Sequence, residues 1–396
     1  MNQTERDEIE IIKEALSGGE ADLSAEPDWW AIYRDMSQQA VAPLGYEIYK
    51  KRKGSFTDTD LDREWSKSVI EQYNSWYMLM YCQQELVNLL SSAGFDFAIM
   101  KGMANAVLYS VPELRKSGDI DFLVREDEYE SVYQLLLDNG YSKTEELDKA
   151  EYHVVLTKDD VVFELHKRPG GAKMDGSPES RALIDFFSHG LDNVENVEVD
   201  KYSFPVLPTL QNGMTLLIHF AGHMREGVGI RHLLDWMVYA DHYLSDQYWE
   251  EHFCAEAEKV HLKDLAKVMT KVCQRCFGLN NELTWCRDAD SSSCRQLLEY
   301  LISEGDFGKK GAFENRGVKL MSEAKGIKGL LDRLNYSSKY SMPAARNNLL
   351  LRPFAWGYQL IRYLYFSIMR GNPLKMISED KKKSDEIKEL FVNLNI

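Results

Sequence analysis

From Asp28 to about Leu90 large apolar residues return at helical intervals. Trp29, Trp30, Ile32 and Tyr33 open one run, Val41 to Tyr49 carry a second, and Trp65 to Leu90 carries Ile70, Tyr73, Tyr77, Tyr81 and Leu86 along a longer helix. The pattern predicts an all-helical opening with the aromatic stripe of the long helix turned into the core. Residues 1 to about 24 are polar and charged, and read as a frayed helix or tail. Gly94 ends the long helix, and the period changes. Phe95 to Met100 is a short apolar run stopped by Lys101-Gly102, and Ala104 to Tyr109 are strong helix formers, which gives strand, tight turn, helix.

Arg115 to Val124 follows a Ser-Gly turn signal with strand alternation, so Asp119 and Asp121 share one face and Ile120 and Phe122 the other. Glu126 to Asn139 is helical, with Gly140 as its stop. Tyr152 to Thr157 and Val161 to Arg168 form a hairpin about Lys158-Asp159-Asp160, with Val161, Phe163 and Leu165 on one face and Val162, Glu164 and His166 on the other. Gly170 to Ser180 is a loop, Pro205 and Pro208 mark a junction, and helices return at Leu210–Met224, Ile230–Tyr243, Leu262–Phe277, Ser293–Ile302 and Leu350–Met369. The fold class is α+β. A small mixed-sheet core at 91–205 lies between an N-terminal helical segment, 1–90, and a C-terminal helical domain, 206–396.

Composition narrows the partners. With 396 residues, 44% of them hydrophobic, the chain can bury a substantial core, and a net charge of -16 argues against non-specific binding to nucleic acid or anionic membrane. Met1 to Glu20 has no apolar signal region, Pro353 to Met369 is too short and polar for a convincing span, and the six cysteines read as reduced thiols. A cytoplasmic location with no membrane partner is the expectation.

Two adjacent carboxylates repel, and each resists ionising beside the other unless a cation lies between them. Asp119 and Asp121 therefore suggest Mg²⁺ (or Mn²⁺), which takes hard oxygen ligands, although an Asp-x-Asp alone reads more readily as a solvated strand end or turn. Glu164 places a third carboxylate on a strand, where the competing reading is a solvent-facing hairpin residue. Other patterns are weaker. His219 and His223 lie four apart on a helix and suit a shared metal or, more simply, a core position. Arg231 and Asp235 are spaced as a helical ion pair, with a phosphate contact from Arg231 as the other reading. Cys273-x-x-Cys276, with Cys286 and Cys294, has the outline of a zinc site but continues a helical apolar face. Gly305-Asp306-Phe307-Gly308 matches a kinase tripeptide without the other kinase elements. Lys381 to Lys383 beside Glu379 and Asp380 is a solvated helix face.

Strand-Lys101-Gly102-helix, then Gly118-Asp119-x-Asp121, then Glu164 on a later strand resembles the DNA polymerase β-like nucleotidyltransferase superfamily. The resemblance is to its uncharacterised bacterial nucleotidyltransferase family, which carries a Lys-Gly turn, an Arg-x-x-x-Asp-Ile-Asp strand and an acid-x-His pair, here Lys101-Gly102, Arg115 to Asp121 and Glu164-Leu165-His166. The helices at 28–50, Gly229 to Asp235 and Arg352-Pro353-Phe354 resemble the family's flanking regions. The chain differs from the superfamily's usual pattern in its Lys-Gly turn, in the longer stretch from Gly102 to Asp119, and in Glu164, where Asp is commoner.

The resemblance implies transfer of an NMP unit from an NTP, ATP by default, to an acceptor with release of pyrophosphate. It implies Asp119, Asp121 and Glu164 as catalytic metal ligands, with Glu164 also able to take the acceptor's proton. Nucleotide contacts fall on Lys101, Gly102, Ser117, Gly118, His166 and Arg231, with Lys101 as a positive point charge and the amides after Gly102 as a phosphate cradle. The acceptor is a small molecule, a protein or an RNA end. The competing functions are a sugar-nucleotide glycosyltransferase, which also uses Asp-x-Asp, and a non-catalytic nucleotide-binding or regulatory protein.

Overall fold

A computed structural model describes residues 1–54, 56–144, 152–168, 178–224, 227–280 and 282–306, with short pieces at 351, 353–358, 361, 382 and 385–396. The Gly170–Ser180 loop, Leu350–Met369, Phe307-Gly308 and the lysine run fall mostly outside these residues, as does Arg352 of Arg352-Pro353-Phe354.

The opening is helical, with one difference from the sequence pattern at each end. The first helix, α1 (Gln3–Ser17), is docked rather than frayed. Asn2 and Glu5 form a reciprocal capping box, and Ile9, Ile11 and Ile12 are buried. Three isoleucines on one face outweigh the polar majority. Asp28 caps α2 (Trp29–Gln38) by accepting from the Ala31 amide, and α3 (Ala42–Arg52) follows with Pro43 in its first turn. The long helix α4 (Thr59–Ala93) starts at Asp58 and ends on Gly94, whose φ of 78° suits a residue without a Cβ. Its core face is Leu61, Trp65, Trp76, Leu79, Met80, Leu86, Val87 and Leu90. Of the expected stripe only Leu86 is in the core; Tyr73 is half-buried, and the rest is on the outer side, with Ile70 59% exposed, Tyr77 46% and Tyr81 54%. Both faces of α4 carry aromatics, so spacing alone did not identify the inner one.

The sheet is formed by β1 (Phe97–Met100), β2 (Asp119–Val124), β3 (Ser142–Lys143), β4 (His153–Lys158), β5 (Val161–His166), β6 (Glu195–Val199) and β7 (Tyr202–Val206), in the order β3-β4-β5-β2-β1-β7-β6. It is mixed: β2 runs parallel to β5 and β1 parallel to β7, and the remaining pairs are antiparallel. The short helix α5 (Lys101–Ala106) follows β1 directly, and α6 (Tyr129–Asp138) and α7 (Pro178–Leu191) complete this region. Asp159 and Asp160 both have positive φ, 51° and 61°, and join Lys158 to its partner Val161 as a two-residue hairpin turn. The strands β6 and β7 were not anticipated, and Pro205, read as a junction, lies inside β7, where it pairs with Asn196.

Alternation sorts the sheet's faces. Phe97, Ile99, Ile120, Phe122, Val124, Phe163 and Leu165 share a core with the second half of α4 and with α6. Ala98, Met100 and Leu123 join the other core, which includes α1, α2, α3, α8 (Thr209–His223), α9 (Ile230–Tyr243) and the helices at Lys263–Val272 and Ser291–Glu304. The first helices and the last thus bury one another, with the Gln39 amide donating to the carbonyl of Leu301. Asp119 and Asp121 have the parity of Leu123, and so face the helical body. No described helix is long and apolar enough to cross a membrane.

Candidate active site

Parallel pairing of β2 with β5 puts Asp121 directly across from Glu164, with Asp119 two residues back on the same face. Each of Asp119, Asp121 and Glu164 offers a carboxylate oxygen within 4.8 Å of the others. The third participant comes from the end of β1. Lys101 adopts φ 51°, a left-handed conformation that costs a side-chain-bearing residue about 1 kcal/mol or more. Its ammonium then stands 2.5 Å from Asp121 Oδ1, 3.4 Å from Glu164 Oε2 and 3.4 Å from His166 Nε2. His166 is fully buried, its Nε2 3.0 Å from Asp121 Oδ1 and 3.2 Å from Glu164 Oε2.

These groups do not balance. Burial, then the charges of Asp121 and Glu164, push the Asp119 carboxyl up to about 7, against weaker pulls from Lys101 and Arg231. Burial also disfavours charge on Glu164, but the His166 hydrogen bond and Lys101 outweigh it and hold that carboxyl well below its usual range. Burial opposes charge on Lys101 as well, and the carboxylates of Asp121 and Glu164 overcome it. Three carboxylates with one lysine among them are short of positive charge. The donor set, hard oxygens converging from two adjacent strands, fits a divalent cation.

Behind this face lies a second polar cluster. Arg115 donates to Asp235 through Nε at 3.0 Å and Nη2 at 2.6 Å, and to Ser117 Oγ through Nη1 at 2.5 Å. The Tyr109 hydroxyl donates to Asp235 Oδ1 at 2.8 Å, and Asn105 Nδ2 to the Asp235 carbonyl at 2.8 Å. Of the two readings of Arg231, the helical ion pair with Asp235 is the one that does not form. A bidentate guanidinium from the sheet side satisfies Asp235, and Arg231 instead donates to the Lys116 carbonyl at 2.9 Å and to Asp306 Oδ1 at 3.1 Å. Gly102 lies beneath the guanidinium, where a Cβ would collide with Arg115.

The residues expected to contact nucleotide are therefore divided. Lys101 and His166 are in the carboxylate cluster; Ser117 and Gly102 belong to the Arg115 cluster; Gly118 has open space where a side chain would project. Arg231 reaches the site through its field on Asp119. His219 and His223 touch, Nε2 to Nε2 at 2.8 Å, with the His232 ring 5.5 Å from each. Burial, with the charges of Lys101 and Arg231 adding to it, holds His219 well below its ordinary range. Among the described residues this trio is not one of the groups able to converge on a metal ion. All six cysteines are free thiols, and Cys273, Cys286 and Cys294 are buried in the helical core, so the zinc outline is a packing face.

Sequence reasoning missed His153. Its Nε2 is 3.9 Å from Glu164 Oε1, and burial, followed by the charges of His166 and Lys101, lowers it to about 4. The signal was present, because a two-residue turn at Asp159-Asp160 fixes His153 opposite His166. The partnership of Arg115 with Asp235 left no local signal.

No curated protein matches the chain. A family model described as an uncharacterised nucleotidyltransferase matches residues 25–278, a span that contains β1, α5, β2 and β5 and ends beyond α9. With well over half its length covered and the acidic strands inside the match, the chain belongs to this uncharacterised nucleotidyltransferase family.

Proposed function

We propose that the protein is a divalent-metal-dependent enzyme that transfers an NMP unit from an NTP, by default ATP, to an acceptor nucleophile and releases pyrophosphate. The observation that carries this reading is the convergence of Asp119, Asp121 and Glu164 from adjacent parallel strands. The acceptor's hydroxyl or amine forms a bond to the α-phosphorus while the bond from that phosphorus to pyrophosphate breaks, and the acceptor's proton passes to the carboxylate cluster. Divalent ions held by the three carboxylates would neutralise charge on the attacking and leaving oxygens.

The chain's own residues divide the remaining work. Glu164, kept ionised by His166 and Lys101, is suited to holding a cation. Lys101 stands among the carboxylates at the foot of the site, and moves its charge to the phosphates when they arrive. Gly118, with nothing above it, leaves room for a phosphate to approach the backbone ahead of Asp119. Arg231 contributes positive potential from α9, so that nucleotide binds between sheet and helical body.

Calorimetric binding of each NTP, with and without Mg²⁺, to the wild type and to an Asp119→Asn/Asp121→Asn variant tests the reading. One NTP should bind only with metal, and the folded double variant should lose at least ~100-fold in affinity, since even a residue that merely supports a ligand contributes roughly 10- to 100-fold. Unchanged metal-dependent binding in that variant would sink the proposal. Preference for UDP-sugars would favour glycosyl transfer, and tight NTP binding without pyrophosphate release on any acceptor would favour a nucleotide sensor.

A further inference from the structure

We propose that the carboxylate cluster continues into a second cation subsite, built from His153, Glu164 and His166, that takes an imidazole-accepting divalent transition ion such as Zn²⁺ or Fe²⁺, with Mn²⁺ as its paramagnetic probe, rather than Mg²⁺. It rests on the reading above in one respect, that Glu164 serves as a metal ligand shared between the two subsites.

The subsite follows from hairpin geometry. The turn at Asp159-Asp160 sets the register, His153 pairs across from His166, and Glu164, two residues before His166, shares its face. One imidazole nitrogen from each histidine and a Glu164 oxygen all lie within 4.8 Å of one another. The two rings are 4.8 Å apart, and both present Nε2 to Glu164, one to each carboxylate oxygen. A carboxylate that offers Oε1 to one ring and Oε2 to the other is placed to bridge.

A purely structural role explains these histidines poorly. His166 is fully buried and His153 largely so, yet Nδ1 of each is enclosed without a hydrogen-bond partner. An enclosed polar atom left unpaired costs about 1–3 kcal/mol, and an apolar pair at these positions would avoid that cost. What the rings do share is the direction of Nε2, toward Glu164 and the end of the Asp119/Asp121 cluster. A positive charge is already accommodated there, because the Lys101 ammonium lies 3.4 Å from both Glu164 Oε2 and His166 Nε2. An ion enters as that ammonium leaves.

The ligand set selects the ion. Mg²⁺ favours oxygen ligands in near-ideal octahedra, whereas two imidazoles and a carboxylate suit Zn²⁺, Fe²⁺ or Ni²⁺, and Mn²⁺, although an oxygen-seeking ion, accepts imidazole more readily than Mg²⁺ does. The Asp119/Asp121/Glu164 group is all oxygen and the His153/Glu164/His166 group is two-thirds nitrogen, so the two halves of one site have different ion preferences.

Mn²⁺ binding to the full chain, followed by pulsed electron paramagnetic resonance for nitrogen modulation, tests this directly. The wild type should bind Mn²⁺ with imidazole nitrogen coupling, and Mg²⁺ should displace the nitrogen-coupled ion only at roughly 100-fold excess or more. His153→Leu and His153→Asn, each checked for a wild-type thermal transition, should weaken that binding about tenfold or more and reduce the coupling. Absent nitrogen modulation, or undiminished modulation in both His153 variants, overturns the proposal. If modulation is absent while the Asp119→Asn/Asp121→Asn variant loses Mg²⁺-dependent NTP binding, the subsite is wrong and the nucleotidyl-transfer reading stands. If modulation is present and that variant binds NTP normally, the subsite stands and the transfer reading fails.

Discussion

Two buried polar clusters lie next to each other in this protein and are made of nearly the same groups, but only one of them balances. Around Arg115, one guanidinium meets one carboxylate in a bidentate pair, and Tyr109 and Ser117 occupy the remaining directions. Around Lys101, one ammonium is set against Asp119, Asp121 and Glu164. The balanced cluster ties β2's approach to α9 and has no use for a ligand. The unbalanced cluster carries its deficit of positive charge in Asp119, whose carboxyl holds its proton up to about 7. Burial and charge alone do not mark a functional site. A deficit does.

The comparison can be broken at the balanced cluster first. Asp235→Ala leaves the Arg115 guanidinium buried without its counter-charge, and the expected loss is about 3–5 kcal/mol of unfolding free energy by chemical denaturation. A loss under about 1 kcal/mol would show that solvent reaches Arg115 and that this cluster is not closed. Gly102→Ala is a smaller perturbation of the same place. The added methyl group meets a guanidinium already pinned by Asp235 and Ser117, so about 1–3 kcal/mol should be lost. Wild-type stability in that variant would mean that Arg115 moves freely, contrary to a pinned arrangement.

The unbalanced cluster should respond to pH where the balanced one does not. Between Asp119's ordinary value of 3.8 and about 7, the folded apoprotein holds that proton more firmly than the unfolded chain, so its stability falls as pH rises through this window. A cation must displace the same proton. Metal affinity should therefore rise by up to about tenfold per pH unit below pH 7 and flatten above it. A flat affinity profile from pH 5 to 8 by calorimetry would contradict the assignment, and Asp119→Asn should remove the slope.

What the sequence disclosed follows the same division. Asp119, Asp121 and Glu164 were legible because strand alternation is local, and parallel strands one hydrogen-bond ladder apart need only the right register to bring them together. His153 was legible in principle through the hairpin turn, and was passed over because a histidine at the start of an apolar run carries no motif. The Arg115–Asp235 pair joins residues 120 positions apart, and nothing in the local pattern of either residue names the other. The outer face of α4 was misread for a different reason. Tyr77 and Tyr81 keep helical spacing as faithfully as Trp65 and Trp76, and only the position of the sheet decides which face is inside.

The shared core of the first and last helices has a consequence for the order in which the protein is made. Gln39 donates to a carbonyl 262 residues further along the chain, and α1 to α3 bury their tryptophans and isoleucines in a core that α8, α9 and the later helices complete. At about 5–20 residues per second, the ribosome needs roughly 15–50 seconds to deliver Leu301 after Gln39. For that interval the sticky faces of the opening helices are without their native cover. The opening helices leave the ribosome well before the helices that enclose them.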